Sequence, residues 1–183
     1  MSDGPALGAA PAASARGRRK WAWTGGVALL VLVLDLATKL AVQRAFRLHD
    51  SVPIFGDIFR LTYIFNPGAA FGLHLGPHSR YIFLALSLLA LCVLALMYRN
   101  TPASRTGRLV AIGAIAGGAL GNIVDRIRSP AGVVDFLDLG IGSYRWPVFN
   151  LADVAVSLGA LALFLSFWSE DRRARAEGGS DGE

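Results

Sequence analysis

The sequence WTGGVALLVLVLDLATKLAV at residues 23–42 is long and apolar enough to cross a lipid bilayer as one helix. A helix rises about 1.5 Å per residue, so about 20 apolar residues span a hydrocarbon core of about 30 Å. Three further stretches of this kind follow, at residues 81–98, 109–127 and 148–168. The sequence therefore predicts an all-α membrane protein whose core is a bundle of four transmembrane helices.

The composition excludes an ordinary soluble enzyme. Of the 183 residues, 54% are hydrophobic and 17% are charged, whereas soluble domains average about 25% charged. The net charge of +5 would suggest nucleic-acid binding in a soluble protein, but the basic residues border the apolar runs. We therefore expect the lipid bilayer, and no nucleic acid, as a partner. The single cysteine, Cys92, lies inside an apolar run and excludes an internal disulfide.

The distribution of arginine predicts the orientation and the domain limits. The short loop at residues 99–108 carries three arginines and no acid, and both ends of the chain are basic beside the apolar runs. Cytoplasmic segments are enriched in Lys and Arg, so both termini are predicted to be cytoplasmic. We expect a disordered basic tail at residues 1–22, one membrane-embedded domain at 23–168 and a cytoplasmic tail at 169–183. Because Asp35 and Lys39 interrupt the first run, and no small-residue cleavage site follows it, we do not interpret it as a cleaved signal peptide.

The two segments on the opposite side of the membrane are predicted to contain strands. IFRLTYIFN at residues 58–66 and GVVDFLDLGIGSY at 132–144 are rich in β-branched and aromatic residues and adjoin turn residues. The third apolar run holds Gly113, Gly117, Gly118 and Gly121, a pattern typical of closely packed helices.

Aspartates near the ends of the apolar runs are the candidates for catalytic or binding residues. Placing an ionised Asp at the centre of a membrane helix costs about 2.5–3.5 kcal/mol, and a residue kept at such a cost usually has a function or a specific partner. Asp153 is equally compatible with a catalytic carboxylate and with an acid stabilised at a helix N-terminus. Asn150, three residues earlier, either shares its helix face or caps the helix. Asp125 has a similar neighbour in Asn122, and Asp35 stands at ion-pair spacing from Lys39.

Asp135 and Asp138 in VVDFLD would face opposite sides of a strand, so only one of them could meet Asp153. Spacing alone does not choose between them. The sequence has no HExxH motif or other zinc pattern among its three histidines, no Walker loop and no dinucleotide fingerprint, so we expect no metal and no cofactor. The remaining candidate for a catalytic site is a pair of aspartates at the outer membrane face.

Five blocks of the sequence together resemble the signal peptidase II family of bacterial four-span aspartyl peptidases. They are DLATKL at 35–40, FNPGAAFG at 65–72, GNIVDR at 121–126, VVDFLD at 133–138 and WPVFNLAD at 146–153. Each block is weak by itself, but five in this order, correctly placed against four spans, are specific. One departure is Leu36, where the family often has Gln.

The resemblance implies a membrane aspartyl endopeptidase in which Asp135, rather than Asp138, forms a catalytic dyad with Asp153. It implies supporting or substrate-binding roles for Asp35, Asn66, Asn122, Asp125, Arg126 and Asn150. It further implies that the enzyme, without metal or cofactor, removes signal peptides from diacylated prolipoproteins just before the lipidated cysteine. We also expect a small extracytoplasmic β-cradle and an active site at the extracytoplasmic face of the bacterial inner membrane. The protein is expected to be a monomer.

Two other functions fit the residues alone. Acids within a membrane also mark ion pathways, so a small proton-coupled membrane transporter is the main alternative. A non-catalytic scaffold, with Asn–Asp pairs joining its helices, is the second. The peptidase hypothesis requires Asp135 and Asp153 to lie beside each other at the membrane boundary.

Overall fold

Four long helices and a small antiparallel sheet at one end of them make up the fold. The structure, a computed structural model, describes residues 10–70, 73–74 and 76–178. The helices are α1 (Ala10–Ala45), α2 (Ser79–Asn100), α3 (Thr106–Arg128) and α4 (Leu151–Gly178), and a short 3-10 turn at Gly76–His78 precedes α2. Each contains a segment long and apolar enough to cross a membrane, so the predicted four-span bundle is confirmed.

The helices extend beyond the predicted spans at both ends of the chain. Residues 10–22, which the composition predicts to belong to a disordered tail, are helical, and so are residues 169–178 of the predicted cytoplasmic tail. Alanine and arginine are good helix formers, and lengthening an existing helix avoids a new nucleation step. Residues 1–9 and 179–183 of these tails lie outside the described residues. At its other end α4 begins three residues later than predicted, because Phe149 pairs with Leu137 of the sheet.

The central helix is α3, which packs against α1 and α4 through its glycines. A Cβ atom built on Gly113 or Gly117 would lie 2.5 Å from the backbone oxygen of Thr24 or Ala28 on α1. A Cβ atom on Gly118 would lie 2.5 Å from the backbone oxygen of Ala152 on α4. Side chains at these positions would push the helices apart, so the predicted close packing through small residues is confirmed.

The sheet contains the strands β1 (Ser51–Phe55), β2 (Phe59–Asn66), β5 (Val133–Ile141) and β6 (Tyr144–Arg145), in the order β1-β2-β5-β6. A separate two-stranded sheet pairs β3 (Ala69–Ala70) with β4 (Leu73–His74). Both predicted strand segments are therefore confirmed. In the pairing of β2 with β5, Ile64 stands opposite Asp135.

A small apolar core joins the sheet to the end of α1. It consists of Val42, Tyr63, Val134 and Phe136, all buried. Since Val134 and Phe136 flank Asp135, their burial fixes the strand face on which the Asp135 carboxylate lies.

Candidate active site

A cavity of about 480 Å³ lies where α3, α4 and the start of β5 meet. Its polar lining contains five of the eight site residues expected from the sequence: Asn66, Asn122, Arg126, Asp135 and Asp153. Its apolar lining includes Phe83 of α2 and Val154 and Leu158 of α4. The cavity therefore combines carboxylates with an apolar wall.

Asp135 is almost completely buried, with 1% of its surface exposed. Its Oδ2 accepts a hydrogen bond from Nδ2 of Asn66 at 2.9 Å, and its Oδ1 accepts one from Nδ2 of Asn150 at 2.6 Å. Burial, and next the nearby charge of Asp153, raise the pKa of Asp135 to about 7. The carboxyl group can therefore hold a proton close to neutral pH.

Asp153 lies in the first turn of α4 and forms a reciprocal cap with Asn150. The backbone N–H of Asp153 donates to Oδ1 of Asn150 at 3.0 Å, and the backbone N–H of Asn150 donates to Oδ2 of Asp153 at 3.3 Å. Asn150 is therefore the N-cap of α4, one of the two alternatives left open by the sequence. Capping occupies only one oxygen of each side chain, which leaves the Asn150 amide group free to reach Asp135.

Asn122 and Asn150 connect the two aspartates, and we call them the amide bridge. Nδ2 of Asn122 donates to Oδ1 of Asp153 at 2.8 Å, while its Oδ1 accepts from Nδ2 of Asn150 at 3.1 Å. Nδ2 of Asn150 also donates to Oδ1 of Asp135. A continuous path of hydrogen bonds thus joins Asp153 to Asp135 through two amides.

Asp35 and Asp125 lie behind the cavity rather than on its wall. The expected ion pair of Asp35 with Lys39 is present, at 2.7 Å between Oδ2 and Nζ, and Lys39 also lies 3.0 Å from Oδ2 of Asp125. Oδ1 of Asp35 accepts the backbone N–H of Ala152 at 2.9 Å. Asp125 accepts the backbone N–H of Val134 at 3.2 Å. Both carboxylates therefore support the backbone next to the cavity.

Lys39 is the residue of this region whose role the sequence analysis missed. The sequence predicts Lys39 only as the partner of Asp35, yet its Nζ also donates to Oδ1 of Asn122 at 2.9 Å. The spacing of four residues in sequence reveals the first contact, but the contact with α3 depends on the tertiary fold.

Arg126 occupies the cavity wall between the polar and apolar parts. Its guanidinium group lies over the ring of Phe83, at 5.7 Å from the ring centre, and its Nη1 donates to the backbone oxygen of Asn122 at 3.3 Å. Among the described residues its buried Nε has no hydrogen-bond partner. A buried donor of this kind is available to a carbonyl group of a bound molecule.

Asp138 belongs to a different part of the sheet. Its Oδ1 accepts from Nε of Arg145 at 2.7 Å, and its Oδ2 accepts from Oγ1 of Thr62 at 2.7 Å. It is not part of the cavity wall, in agreement with the alternation of side chains along a strand. Within the described part of the chain no group of three or more His, Cys, Asp or Glu side chains could hold a metal ion.

Four helices of bilayer length and a partly buried cavity lined by carboxylates and amides define an integral membrane enzyme. Residues 27–169 match the family model described as Signal peptidase (SPase) II, and the chain therefore belongs to the signal peptidase II family of peptidases.

Named relatives and solved structures agree with this assignment. The lipoprotein signal peptidase of Halothermothrix orenii is 43% identical over 80% of this chain and 95% of its own length. That of Desulforapulum autotrophicum is 42% identical over 73% of this chain and 83% of its own length. A structure described as a bacterial membrane enzyme at 2.3 Å resolution is similar with a TM-score of 0.73 and 27% identity, over 81% of this chain and 88% of that one.

Proposed function

We propose that this chain is an aspartic endopeptidase that removes the signal peptide from diacylglyceryl-modified prolipoproteins, cleaving just before the lipidated cysteine. The relatives named lipoprotein signal peptidases support the substrate class. The observation that carries the mechanism is the amide bridge, which joins Asp135 and Asp153 at one cavity.

In this proposal the two carboxyl groups work as a pair that shares one proton. Two neighbouring carboxylates cannot both ionise easily, so the pair titrates as a unit. Because burial and the charge of Asp153 raise the pKa of Asp135 to about 7, we assign the shared proton at rest to Asp135. Asp153 is then the ionised member of the pair.

The reaction uses water and no covalent intermediate. Asp153 takes a proton from a water molecule as the water oxygen attacks the scissile carbonyl carbon. Asp135 donates a hydrogen bond to the carbonyl oxygen and so stabilises the negative charge that develops there. The carbon–nitrogen bond then breaks, and the leaving nitrogen receives a proton from the pair.

Substrate binding is assigned to the rest of the cavity wall. Nε of Arg126 and the side chain of Asn66 are polar groups that could hold the peptide backbone beside the pair. Phe83, Val154 and Leu158 offer an apolar surface to lipid chains. Burial of an acyl chain contributes about 0.8 kcal/mol per CH₂ group, which gives a preference for lipidated substrates.

The proposed orientation has the sheet and the cavity outside the cytoplasmic membrane of a bacterium, and both termini inside. The sheet follows the C-terminal ends of α1 and α3. At the opposite end of the bundle a short loop joins the end of α2 to the start of α3, and Arg99, Arg105 and Arg108 lie in or beside this loop. An excess of arginine marks the cytoplasmic side. Scissile bonds would then meet water at the outer membrane surface, and we expect the enzyme to act as a monomer.

Cleavage of a diacylated lipobox peptide by purified protein in detergent tests the proposal. Asp135→Asn and Asp153→Asn should each abolish cleavage, because each removes the acid–base function of one member of the pair. Asp138→Asn is the matched control on the same strand and should remain active, since the Asp138 carboxylate bonds to Arg145 and Thr62 and does not line the cavity. Full cleavage by either of the first two variants would refute the mechanism. Proton flux in liposomes, lost in Asp153→Asn, would instead favour a transporter.

A further inference from the structure

Lys39 is a buried cation that the proposed reaction does not use. It is one of two lysines in the chain, and 2% of its surface is exposed. Three oxygens lie within 3.0 Å of its Nζ: Asp35 Oδ2, Asp125 Oδ2 and Asn122 Oδ1. The contact with Asn122 is a hydrogen bond, and the other two are ion pairs.

Lys39 determines the orientation of the side-chain amides of the amide bridge. An ammonium group carries three N–H donors and no acceptor, so Asn122 must turn its Oδ1 towards Lys39. Its Nδ2 then faces Asp153 as a donor, at 2.8 Å. The same oxygen accepts from Nδ2 of Asn150, whose second proton is directed to Asp135. The orientation of both amides therefore follows from a group that can only donate.

The two carboxylates that hold Lys39 also hold the backbone at the aspartate pair. Asp35 accepts the N–H of Ala152, the residue just before Asp153. Asp125 accepts the N–H of Val134, the residue just before Asp135. One ammonium thus ties together α1, α3, the first turn of α4 and the start of β5.

A contribution to the stability of the fold does not by itself explain why a lysine is buried here. A buried ion pair often contributes no more than well-packed apolar residues of similar volume, because removing charges from water is costly. A network that fixes the direction of each hydrogen bond, by contrast, holds reacting groups within the narrow limits that catalysis requires.

We propose that Lys39 is a positioning residue for peptide cleavage, which orients the amide bridge and, through Asp35 and Asp125, holds the backbone that carries Asp135 and Asp153. This inference rests on the proposed function. It predicts that loss of the ammonium group slows the chemical step much more than it weakens substrate binding.

The test compares Lys39→Met with Lys20→Met, using cleavage of a diacylated lipobox peptide over a range of pH. Lys20 is the matched control, because its Nζ is bound to the backbone oxygen of Tyr98, away from the cavity. For Lys39→Met we expect kcat to fall about 100-fold, the loss that a displacement of about 1 Å can cause, with little change in KM. Lys20→Met should keep the kinetics of the wild type.

The pH profile distinguishes positioning from mere support of the fold. The positive charge of Lys39 lowers the pKa of Asp135, so its removal should move the alkaline limb of the Lys39→Met profile to higher pH. Several other charged groups surround Asp135 and stay the same in this variant. They are Asp35 of α1, Asp125 and Arg126 of α3 and Asp153 of α4.

Unchanged kcat and an unshifted profile in a folded Lys39→Met protein would overturn the inference. So would a loss of activity explained fully by a lower melting temperature. If Lys39→Met does not fold, Lys39→Gln replaces it: its amide can still donate to Asn122, so kcat should lie between those of wild type and the aspartate variants, with the same alkaline shift. The proposed function fails separately, if the wild type does not cleave or Asp135→Asn does.

Discussion

Nδ2 of Asn150 donates a hydrogen bond to Oδ1 of Asp135 over 2.6 Å. The same side chain caps α4 through its oxygen. One residue therefore sets both the start of a membrane helix and the position of a strand carboxylate. These two roles use different atoms of the amide, so they can be separated by substitution.

Asn150→Ser and Asn150→Ala form a matched pair that separates them. Serine is a good N-cap but lacks the amide that reaches Asp135, whereas alanine loses both roles. In the active form Asp135 is protonated, and a hydrogen bond to an uncharged group contributes about 0.5–1.5 kcal/mol, so both variants should lose about 2–13-fold in kcat/KM. Only Asn150→Ala should lose about a further 1 kcal/mol of stability, measured by denaturant titration in detergent. Wild-type activity in Asn150→Ser would show that the amide contact is not used.

Cleavage should depend on pH through Asp135. Its pKa is raised from 3.8 to about 7, so below about pH 7 the folded protein keeps this carboxyl group protonated. The proposed reaction needs that proton, so kcat/KM should decline as the pH rises through about 7. Measurement of initial rates across the pH range, with thermal unfolding followed in parallel, checks that the decline is not loss of the fold.

Asn66→Ala should move this decline to higher pH. The hydrogen bond from Asn66 stabilises the ionised form of Asp135, so its removal raises the pKa of Asp135 further. A shift to lower pH, or none, would contradict the assignment of the alkaline limb to Asp135.

Gly118 sets the distance between α3 and α4. A Cβ atom there would lie 2.5 Å from the backbone oxygen of Ala152 and 2.9 Å from Cγ2 of Val156. Gly118→Ala should therefore separate the helices, cost about 1–3 kcal/mol of stability and displace Asp153 enough to reduce kcat by up to about 100-fold.

Gly107→Ala is the matched control in the same helix. Among the described residues no atom lies within 4 Å of a Cβ atom at Gly107, so this change should leave both stability and cleavage intact. Comparable melting temperatures and rates for the two alanine variants would show that α3 and α4 tolerate a wider separation.

Arg126 should matter for binding more than for the chemical step. Its buried Nε is a donor without a partner among the described residues, and Arg126 lies in the cavity wall, where the proposed substrate would bind. Arg126→Gln should raise KM for the lipobox peptide with a smaller effect on kcat, measured by steady-state kinetics. Arg128→Gln, two residues further on, is the control and should change neither constant, because Arg128 is not part of the cavity wall.

The elements of this fold were predictable from the sequence wherever the signal is local. Length and hydropathy determine the four spans, and β-branched residues beside turns indicate the strands that became β2 and β5. The ends of the helices were less predictable. Alanine and arginine in the tails favour helix, but composition alone was typical of disorder.

The site was predictable in part. The spacing of Asp135 and Asp138 predicts that they face different ways, but the choice of Asp135 came from the family resemblance. In the structure Asp135, and not Asp138, lines the cavity. The links through Asn122, Asn150 and Lys39 join residues distant in sequence, as with Lys39 and Asn122, which lie 83 positions apart. No local pattern carries that information, because these contacts exist only when α1, α3 and α4 have packed.

The hydrogen bonds that Ala152 donates to Asp35 and Val134 donates to Asp125 have a consequence for biogenesis. The chain is synthesised from its N-terminus, so α1 and α3, which carry Asp35 and Asp125, are made before α4, which carries Ala152 and Asp153. The contact of Asp35 with Ala152 therefore forms only after α4 has been added, and under the proposed mechanism peptide cleavage begins only then, because α4 also carries Asp153.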